Sequence, residues 1–187
     1  MQKALFVAAS SSSDSTLSCQ RLLGKVALIT GGASGIGESI ARLFHKHEDE
    51  VRSAIDFTVD KFGTLDIMVN NAGLSGPPCP DIRNVDLSDF KKMFNVNVKG
   101  TFLGMKHAAR VMIPINKGSI ISLCSVSSTT GGVGPHAYTG SKHAVLGLTR
   151  NVAAELGKYG IRINCVFSLC SSNRLGLGSL AGKGKNC

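Results

Sequence analysis

The chain has 187 residues, of which 43% are hydrophobic, and it carries a formal net charge of +9. This size supports one domain with a real core, and no apolar run approaches the roughly 20 residues of a membrane-spanning helix. Nucleic-acid binding would need clustered basic residues, whereas here they are scattered and aromatic residues make up only 5%. We therefore expect a protein that binds neither nucleic acid nor a membrane.

The six cysteines form no Cys-x-x-Cys pair, and no secretory signal precedes them. Both a disulfide framework and a zinc site are therefore disfavoured. We expect reduced thiols, a cytoplasmic location and no metal site.

The two ends of the chain differ in composition from its centre. Residues 1–20 are rich in serine, with a run from Ser10 to Ser13, and we expect them to form a disordered extension. The domain should span residues 21–166. Residues 167–187 are dominated by Ser, Gly and Lys without periodicity, and we expect them to be unstructured.

Between these ends, apolar runs without alternation predict strands that are buried on both faces, and they alternate with segments of helical periodicity. This alternation implies an α/β fold with a parallel, doubly wound sheet. In chain order we predict a strand at Val26–Thr30, helices at Ile36–His47 and Glu48–Phe62, a strand at Leu65–Val69, a helix at Ser88–Met112, a strand at Ser119–Leu123, a helix at Tyr138–Lys158 and a strand at Arg162–Val166.

A glycine-rich turn, Thr-Gly-Gly-Ala-Ser-Gly-Ile-Gly at residues 30–37, joins the first predicted strand to the first helix. Glycine lets the backbone turn sharply and approach a pyrophosphate, while the helix N-terminus offers free N–H groups to the anion. Glycine also marks ordinary turns, so the prediction of a pyrophosphate-binding turn depends largely on the strand and the helix on either side.

Two further groups of residues could take part in proton transfer. Tyr138 and Lys142 are four apart and share a helix face. A free phenol has a pKa of about 10, and a neighbouring ammonium would lower that pKa and suit the phenol to acid–base work. Taken alone, the pair is more simply explained as surface residues of an amphipathic helix. Ser125 follows the third strand and could bind a substrate oxygen, but Ser127 and Ser128 compete for that role.

In combination these motifs resemble the short-chain dehydrogenases/reductases, and several segments resemble the plant branch of that family. The motifs occur in family order: Thr30-Gly31-x-x-x-Gly35-x-Gly37, Asn70-Asn71-Ala72-Gly73, Asn97 within residues 95–100, Ser125, and Tyr138-x-x-x-Lys142.

The resemblance implies a Rossmann-like domain that transfers a hydride between an alcohol or carbonyl substrate and NAD, with NADP not excluded. It makes Tyr138 the acid/base, while Lys142 lowers the pKa of that tyrosine and holds the nicotinamide ribose. Ser125 would position the substrate oxygen, and Asn97 would support a proton-relay water. The cofactor would contact Gly31, Ser34, Gly35, Ile36, Gly37, Asn71, Ala72 and Gly73, together with Tyr138 and Lys142.

The chain departs from the family after His47, where Glu48 already begins the next family helix. A strand–helix–strand unit is absent, and its strand normally ends in the acidic residue that binds the adenosine ribose. We therefore expect an incomplete sheet of about four central strands with missing edge strands.

A second departure follows Val166, where the family continues Ser-Pro-Tyr-Ala and this chain reads Phe167-Ser168-Leu169-Cys170. One inserted base would explain the change, so we expect an out-of-frame tail without the family's substrate-covering region.

These departures leave two main hypotheses. The chain is an oxidoreductase of the family with doubtful activity, or it is a non-catalytic variant that pairs with full-length subunits. Pairing, including a homo-oligomer, would use the two long helices near residues 88–112 and 138–158. A third hypothesis, nucleic-acid binding, would be supported by the net charge alone.

Overall fold

The computed structural model describes residues 5–9, 22–31, 48–77 and 81–168. Within these ranges one sheet contains five strands whose spatial order follows the chain. They are β1 (Leu5–Ala9), β2 (Val26–Thr30), β3 (Ile67–Asn70), β4 (Gly118–Ser125) and β5 (Ile161–Ser168).

The helices of the described ranges connect these strands. They are α1 (Glu48–Phe62), α2 (Leu87–Phe94), α3 (Thr101–Met112) and α4 (His136–Leu156). A π-helical segment at Asn95–Gly100 joins α2 to α3, and short 3-10 helices lie at Ile82–Asn84, Val126–Ser128 and Gly157–Tyr159.

Strands β2 to β5 pair in parallel, each with the next along the chain. One row of the register runs from Ala27 through Ile67 and Ser119 to Arg162. The four strands predicted from the apolar runs are therefore neighbours in a Rossmann-like parallel sheet, which confirms the predicted fold class.

Strand β1 pairs with β2 in the antiparallel direction, with Leu5 opposite Thr30 and Ala9 opposite Val26. The predicted disorder of residues 1–20 is therefore wrong for these five residues, and the sheet has an edge strand that we did not expect. The physical reason is that the outer edge of β2 would otherwise present unpaired N–H and C=O groups. The run Leu-Phe-Val-Ala-Ala can satisfy them.

The core lies on one face of the sheet, where α1, α3 and α4 pack. Each fully buried aliphatic side chain there contributes roughly 1.5–3 kcal/mol. From the strands it contains Leu28, Met68, Ile120 and Ile163, and from the helices Val51, Ile55, Leu103, Met105, Ala108, Met112 and Leu156.

Most boundaries agree with the predictions within a few residues. The predicted helix at Ser88–Met112 is helical throughout, but its centre is the π segment. Strand β5 continues to Ser168, into the predicted unstructured tail, because Phe167 and Ser168 pair with Cys124 and Ser125. The predicted helix at residues 36–47 and the tail from residue 169 lie outside the described residues.

Two properties of the described ranges bear on partners. None of the helices there is long and apolar enough to cross a membrane. The same ranges contain no group of three or more His, Cys, Asp or Glu side chains that could hold a metal ion.

Candidate active site

The carboxyl end of β2 carries a glycine that no other residue could replace without strain. Gly31 has a φ of +70°, and a Cβ atom there would lie 2.9 Å from the Cα of Ala72. Both its left-handed backbone and this close approach require glycine. The first residue of the predicted pyrophosphate turn therefore packs directly against the turn that follows β3.

Thr30 holds these two turns together. Its hydroxyl accepts hydrogen bonds from the N–H groups of Asn71 and Ala72, each at 3.1 Å, and donates to the carbonyl of Val69 at 3.3 Å. The side-chain amide of Asn71 donates to the carbonyl of Thr30 at 2.9 Å. Sequence reasoning treated Thr30 only as a motif position, because its partners lie about 40 residues away.

Gly73, at the end of the same turn, faces Asn97 and Lys142. A Cβ atom at this position would lie 3.4 Å from Asn97 Oδ1 and 3.8 Å from Lys142 Nζ. The turn after β3 therefore lies directly beside the lysine ammonium and Asn97.

Asn97 lies in the π segment and is almost completely buried. Its Oδ1 accepts from the N–H of Leu74 at 2.8 Å, and its Nδ2 donates to the carbonyl of Leu74 at 2.9 Å and to Ser141 Oγ at 3.0 Å. Nδ2 also lies 3.2 Å from the sulfur of Met93. The side chain therefore ties the loop after β3 to α4. Its predicted role toward a relay water stays a prediction.

The three serines after β4 have different hydrogen bonds. Ser128 Oγ accepts from the N–H of Ser125 at 3.1 Å, so it caps the short helix that begins there. Ser125 Oγ accepts from the N–H of Ser127 at 3.2 Å, and a hydroxyl that accepts can still donate its own hydrogen. Ser125 and Ser128 therefore share the cap of this short helix, and the role of Ser125 toward a substrate oxygen stays a prediction.

Lys142 reaches back from α4 to the end of β4. Its Nζ donates to the carbonyl of Leu123 at 2.6 Å and lies 5.6 Å from the centre of the Tyr138 ring. The side chain is buried, and this burial lowers the pKa of Lys142 below that of a solvated lysine. Burial, and then the neighbouring Cys165, raise the pKa of Cys124 to about 11, so this nearby thiol stays neutral at physiological pH.

Tyr138 lies in the first turn of α4 and is partly buried. A Cβ atom on Gly134 would lie 3.1 Å from Ser127 Oγ and 3.3 Å from Cδ1 of Tyr138. Gly134 therefore allows the tyrosine ring to lie close to the serine segment after β4. Sequence reasoning did not assign this glycine a role.

The structure thus brings most of the predicted site together at the carboxyl ends of the parallel strands. Ser34, Gly35, Ile36 and Gly37 of the glycine-rich turn lie outside the described residues. A small pocket adjoins the site, lined by Thr30, Asn70, Ala72, Val96, Gly100 and Thr101. The residues that meet at this end of the sheet are Gly31, Asn71, Ala72, Gly73, Asn97, Ser125, Tyr138 and Lys142.

Gly31 after the first parallel strand, with a buried lysine beside a tyrosine on α4, is typical of one family of α/β proteins. The family model for short chain dehydrogenase matches residues 45–171. The chain belongs to the short-chain dehydrogenase family.

Its curated relatives include several plant enzymes. It is 59% identical over 196 residues to (+)-borneol dehydrogenase 2 of Salvia officinalis, a match covering 86% of this chain and 69% of the relative. It is 57% identical over 209 residues to xanthoxin dehydrogenase of Arabidopsis thaliana, covering 91% of this chain and 73% of the relative. Zerumbone synthase of Zingiber zerumbet is 54% identical, with 84% and 72% covered. The predicted resemblance to the plant branch is confirmed.

Solved structures give the same family. ElxO with NADP bound has a TM-score of 0.63 and 37% identity, covering 66% of this chain and 49% of that chain. NAD+-bound xylitol dehydrogenase has a TM-score of 0.62 and 34% identity, covering 65% and 46%. The chain therefore spans about half the length of these structures, and the pair includes both forms of the cofactor.

Proposed function

We propose that this site transfers a hydride between an alcohol or carbonyl substrate and a nicotinamide cofactor, with NAD expected and NADP not excluded. The observation that carries the proposal is the buried ammonium of Lys142 beside the ring of Tyr138, at the ligand-binding end of the sheet. The named dehydrogenases among the relatives support the same reaction class.

In this proposal Tyr138 exchanges the proton of the substrate oxygen. The positive charge of Lys142 favours the phenolate, which makes the phenol a usable acid/base near neutral pH. Ser125 donates a hydrogen bond to the same substrate oxygen and orients it. The bound cofactor supplies or accepts the hydride.

The cofactor would lie across the turns after β2 and β3. Gly31 and the segment Asn71–Gly73 would approach it with their backbone, and Lys142 would hold the nicotinamide ribose. Ser34, Gly35, Ile36 and Gly37 would complete the pyrophosphate turn. The close packing of Gly31 on Ala72 and the position of Gly73 beside Lys142 support this arrangement.

For the substrate we propose a step similar to that of xanthoxin dehydrogenase, in abscisic acid synthesis. The support is the identity of 57% over a match that covers 91% of the chain. Zerumbone synthase is named for its product, whereas two other relatives are dehydrogenases named for the alcohols borneol and secoisolariciresinol. A panel of such alcohols is therefore the appropriate assay.

We also propose that an internal segment is missing, so that turnover is weak. The match to xanthoxin dehydrogenase extends over 209 residues, more than the 187 of the whole chain, so it passes over residues that this chain lacks. If the lost strand supplied the ribose carboxylate, one charged hydrogen bond is missing. Such a bond contributes roughly 1.5–3 kcal/mol, so cofactor affinity should fall about tenfold to a hundredfold.

The test compares the chain with a restored chain that carries the relative's segment between His47 and Glu48 and its in-frame region after Val166. Titration with NADH and NADPH, followed by fluorescence, should show weak or undetectable binding to the former and clear binding to the latter. Alcohol oxidation should follow the same pattern. Micromolar binding and robust turnover by the 187-residue chain would contradict the proposed defect, and an inactive restored chain that folds would contradict the proposed function.

We further propose that the chain pairs with itself or with full-length subunits through the two long helical segments near residues 88–112 and 138–158, and that it works in the cytoplasm. Both helices are intact, and the free thiols of Cys124 and Cys165 are compatible with a reducing compartment. Light scattering of the purified chain, alone and mixed with xanthoxin dehydrogenase, would detect pairing. A monomer in both samples would contradict it.

A further inference from the structure

Ser141 lies between Tyr138 and Lys142 on α4 and is completely buried. Its hydroxyl donates to the main-chain carbonyl of Tyr138 at 2.8 Å and accepts from Asn97 Nδ2 at 3.0 Å. Both contacts are within normal hydrogen-bond lengths. Ser141 therefore touches two of the residues on which the proposed chemistry depends.

Only one of these contacts is unusual. A helical serine commonly bonds a carbonyl one turn back, so the contact with Tyr138 alone would say little. The contact with Asn97 joins residues 44 apart in the chain and crosses from the π segment to α4. Asn97 is in turn held by both main-chain groups of Leu74. The loop after β3 is thereby connected, through two side chains, to the turn that carries Tyr138.

We propose that Ser141 is a positioning residue that holds the Tyr138 turn against Asn97 and so keeps the tyrosine ring beside the Lys142 ammonium. This inference rests on the proposed function, because it assumes that Tyr138 and Lys142 work as a pair. Loss of the hydroxyl frees the first turn of α4 on the side facing Asn97. The interaction between the ammonium and a phenolate weakens as their separation grows, so Tyr138 then ionises at a higher pH.

The chain offers a direct measurement that needs no turnover. It contains two tyrosines and no tryptophan, so a Tyr159→Phe background leaves Tyr138 as the single source of the tyrosinate absorbance. In that background we expect Lys142→Met to raise the pH of Tyr138 ionisation. Ser141→Ala should shift it in the same direction by a smaller amount.

Thr149 provides a matched control on the same helix. It is also buried, and its hydroxyl donates to the carbonyl of Val145 at 2.8 Å, the same kind of local bond. It lies more than one turn beyond Lys142. Thr149→Ala should therefore leave the ionisation of Tyr138 where it is in the background protein, even though it removes a buried hydroxyl from α4.

Two further variants separate positioning from general damage. Ser141→Cys keeps the size of the side chain with weaker hydrogen bonds, so it should fall between the parent and Ser141→Ala. Asn97→Ala should shift the ionisation as Ser141→Ala does, and the double variant should shift it little further, because both changes break the same connection. If Ser141→Ala does not fold by circular dichroism, the comparison uses Ser141→Cys.

The outcomes distinguish this inference from the function on which it rests. If Lys142→Met leaves the ionisation of Tyr138 unchanged, the Tyr138–Lys142 pair itself is overturned. A shift in Lys142→Met, with Ser141→Ala and Ser141→Cys both at the parent value, would overturn only the positioning role. An equal shift in Thr149→Ala, or unfolding of both Ser141 variants while Thr149→Ala folds, would also overturn it.

Discussion

The buried charged groups at the two ends of the parallel strands have different partners. At the amino ends, the buried carboxylate of Asp66 accepts from the N–H of Val26 at 3.0 Å and lies 3.5 Å from Lys25 Nζ and 3.6 Å from Lys117 Nζ. At the carboxyl ends, the ammonium of Lys142 contacts a carbonyl and a tyrosine ring. No carboxylate of the described residues lies within ion-pair distance of it.

The difference appears in the two pKa values. Burial alone would raise the pKa of Asp66, but the N–H of Val26 and the two lysines outweigh burial and lower that pKa. For Lys142, burial dominates and lowers its pKa, which disfavours the charged form. One end of the sheet therefore uses charge to stabilise the fold, while the other holds a charge that burial disfavours, at the site proposed for catalysis.

The largest expected effect is at the carboxyl end. In the restored chain, Tyr138→Phe removes only the ionisable hydroxyl and should lower turnover by about 10²–10⁴-fold, with the thermal unfolding temperature unchanged. Tyr159→Phe, which removes the other tyrosine hydroxyl, is the control and should keep its activity. Steady-state kinetics with full activity in Tyr138→Phe would show that another group moves the proton.

A smaller loss should separate the serines after β4. Ser125→Ala in the restored chain should lower kcat by about 10²-fold, since it removes one hydrogen bond to the reacting oxygen. Ser127→Ala should have a much weaker effect, although Ser127 also lies near Tyr138. If Ser127→Ala lowered kcat more than Ser125→Ala, the substrate contact would belong to Ser127.

At the amino end the expected effect is on stability alone. Asp66→Asn should lower the free energy of unfolding by about 1–3 kcal/mol at neutral pH, since it removes the charge that pairs with Lys25 and Lys117. The folded-state pKa is lowered, so this contribution is complete above about pH 5 and disappears as the pH falls below about 4. Urea unfolding at several pH values would measure it, and a difference that is independent of pH would contradict the assignment.

The smallest expected change is in the stability of Lys142→Met, within about 1 kcal/mol of the parent, because removing a poorly compensated buried charge offsets the lost bond to Leu123. The sign of its pH dependence is the same as for Asp66, because both pKa values are lowered in the folded state, but the change falls in the alkaline range. The folded state releases the lysine proton below about pH 10.4, so the parent gains stability relative to Lys142→Met as the pH rises toward that value. If Lys142→Met lost several kcal/mol of unfolding free energy at neutral pH, Lys142 would stabilise the fold as Asp66 does. The contrast between the two ends of the sheet would then be wrong.

Most of the parallel strands could be predicted because they are short, largely apolar runs between turn signals, as Val26–Thr30 illustrates. Strand β1 was not predicted, although Leu5–Ala9 is also an apolar run, because the serine-rich composition of residues 1–20 indicated disorder. The π segment was missed because helical periodicity continues across residues 95–100. Motifs identified Asn97 and Tyr138, whereas the roles of Thr30 and Ser141 depend on partners distant in the chain.

The spatial order of the strands, which follows the chain from β1 to β5, has a consequence for biosynthesis. As the nascent chain leaves the ribosome, each new strand meets the edge of one that has already emerged, so the sheet can grow without waiting for distant sequence. The candidate site does not share this advantage. It joins turns after β2 and β3 to a lysine on α4, so a ligand that bridges them can stabilise the protein only after nearly the whole domain has been synthesised.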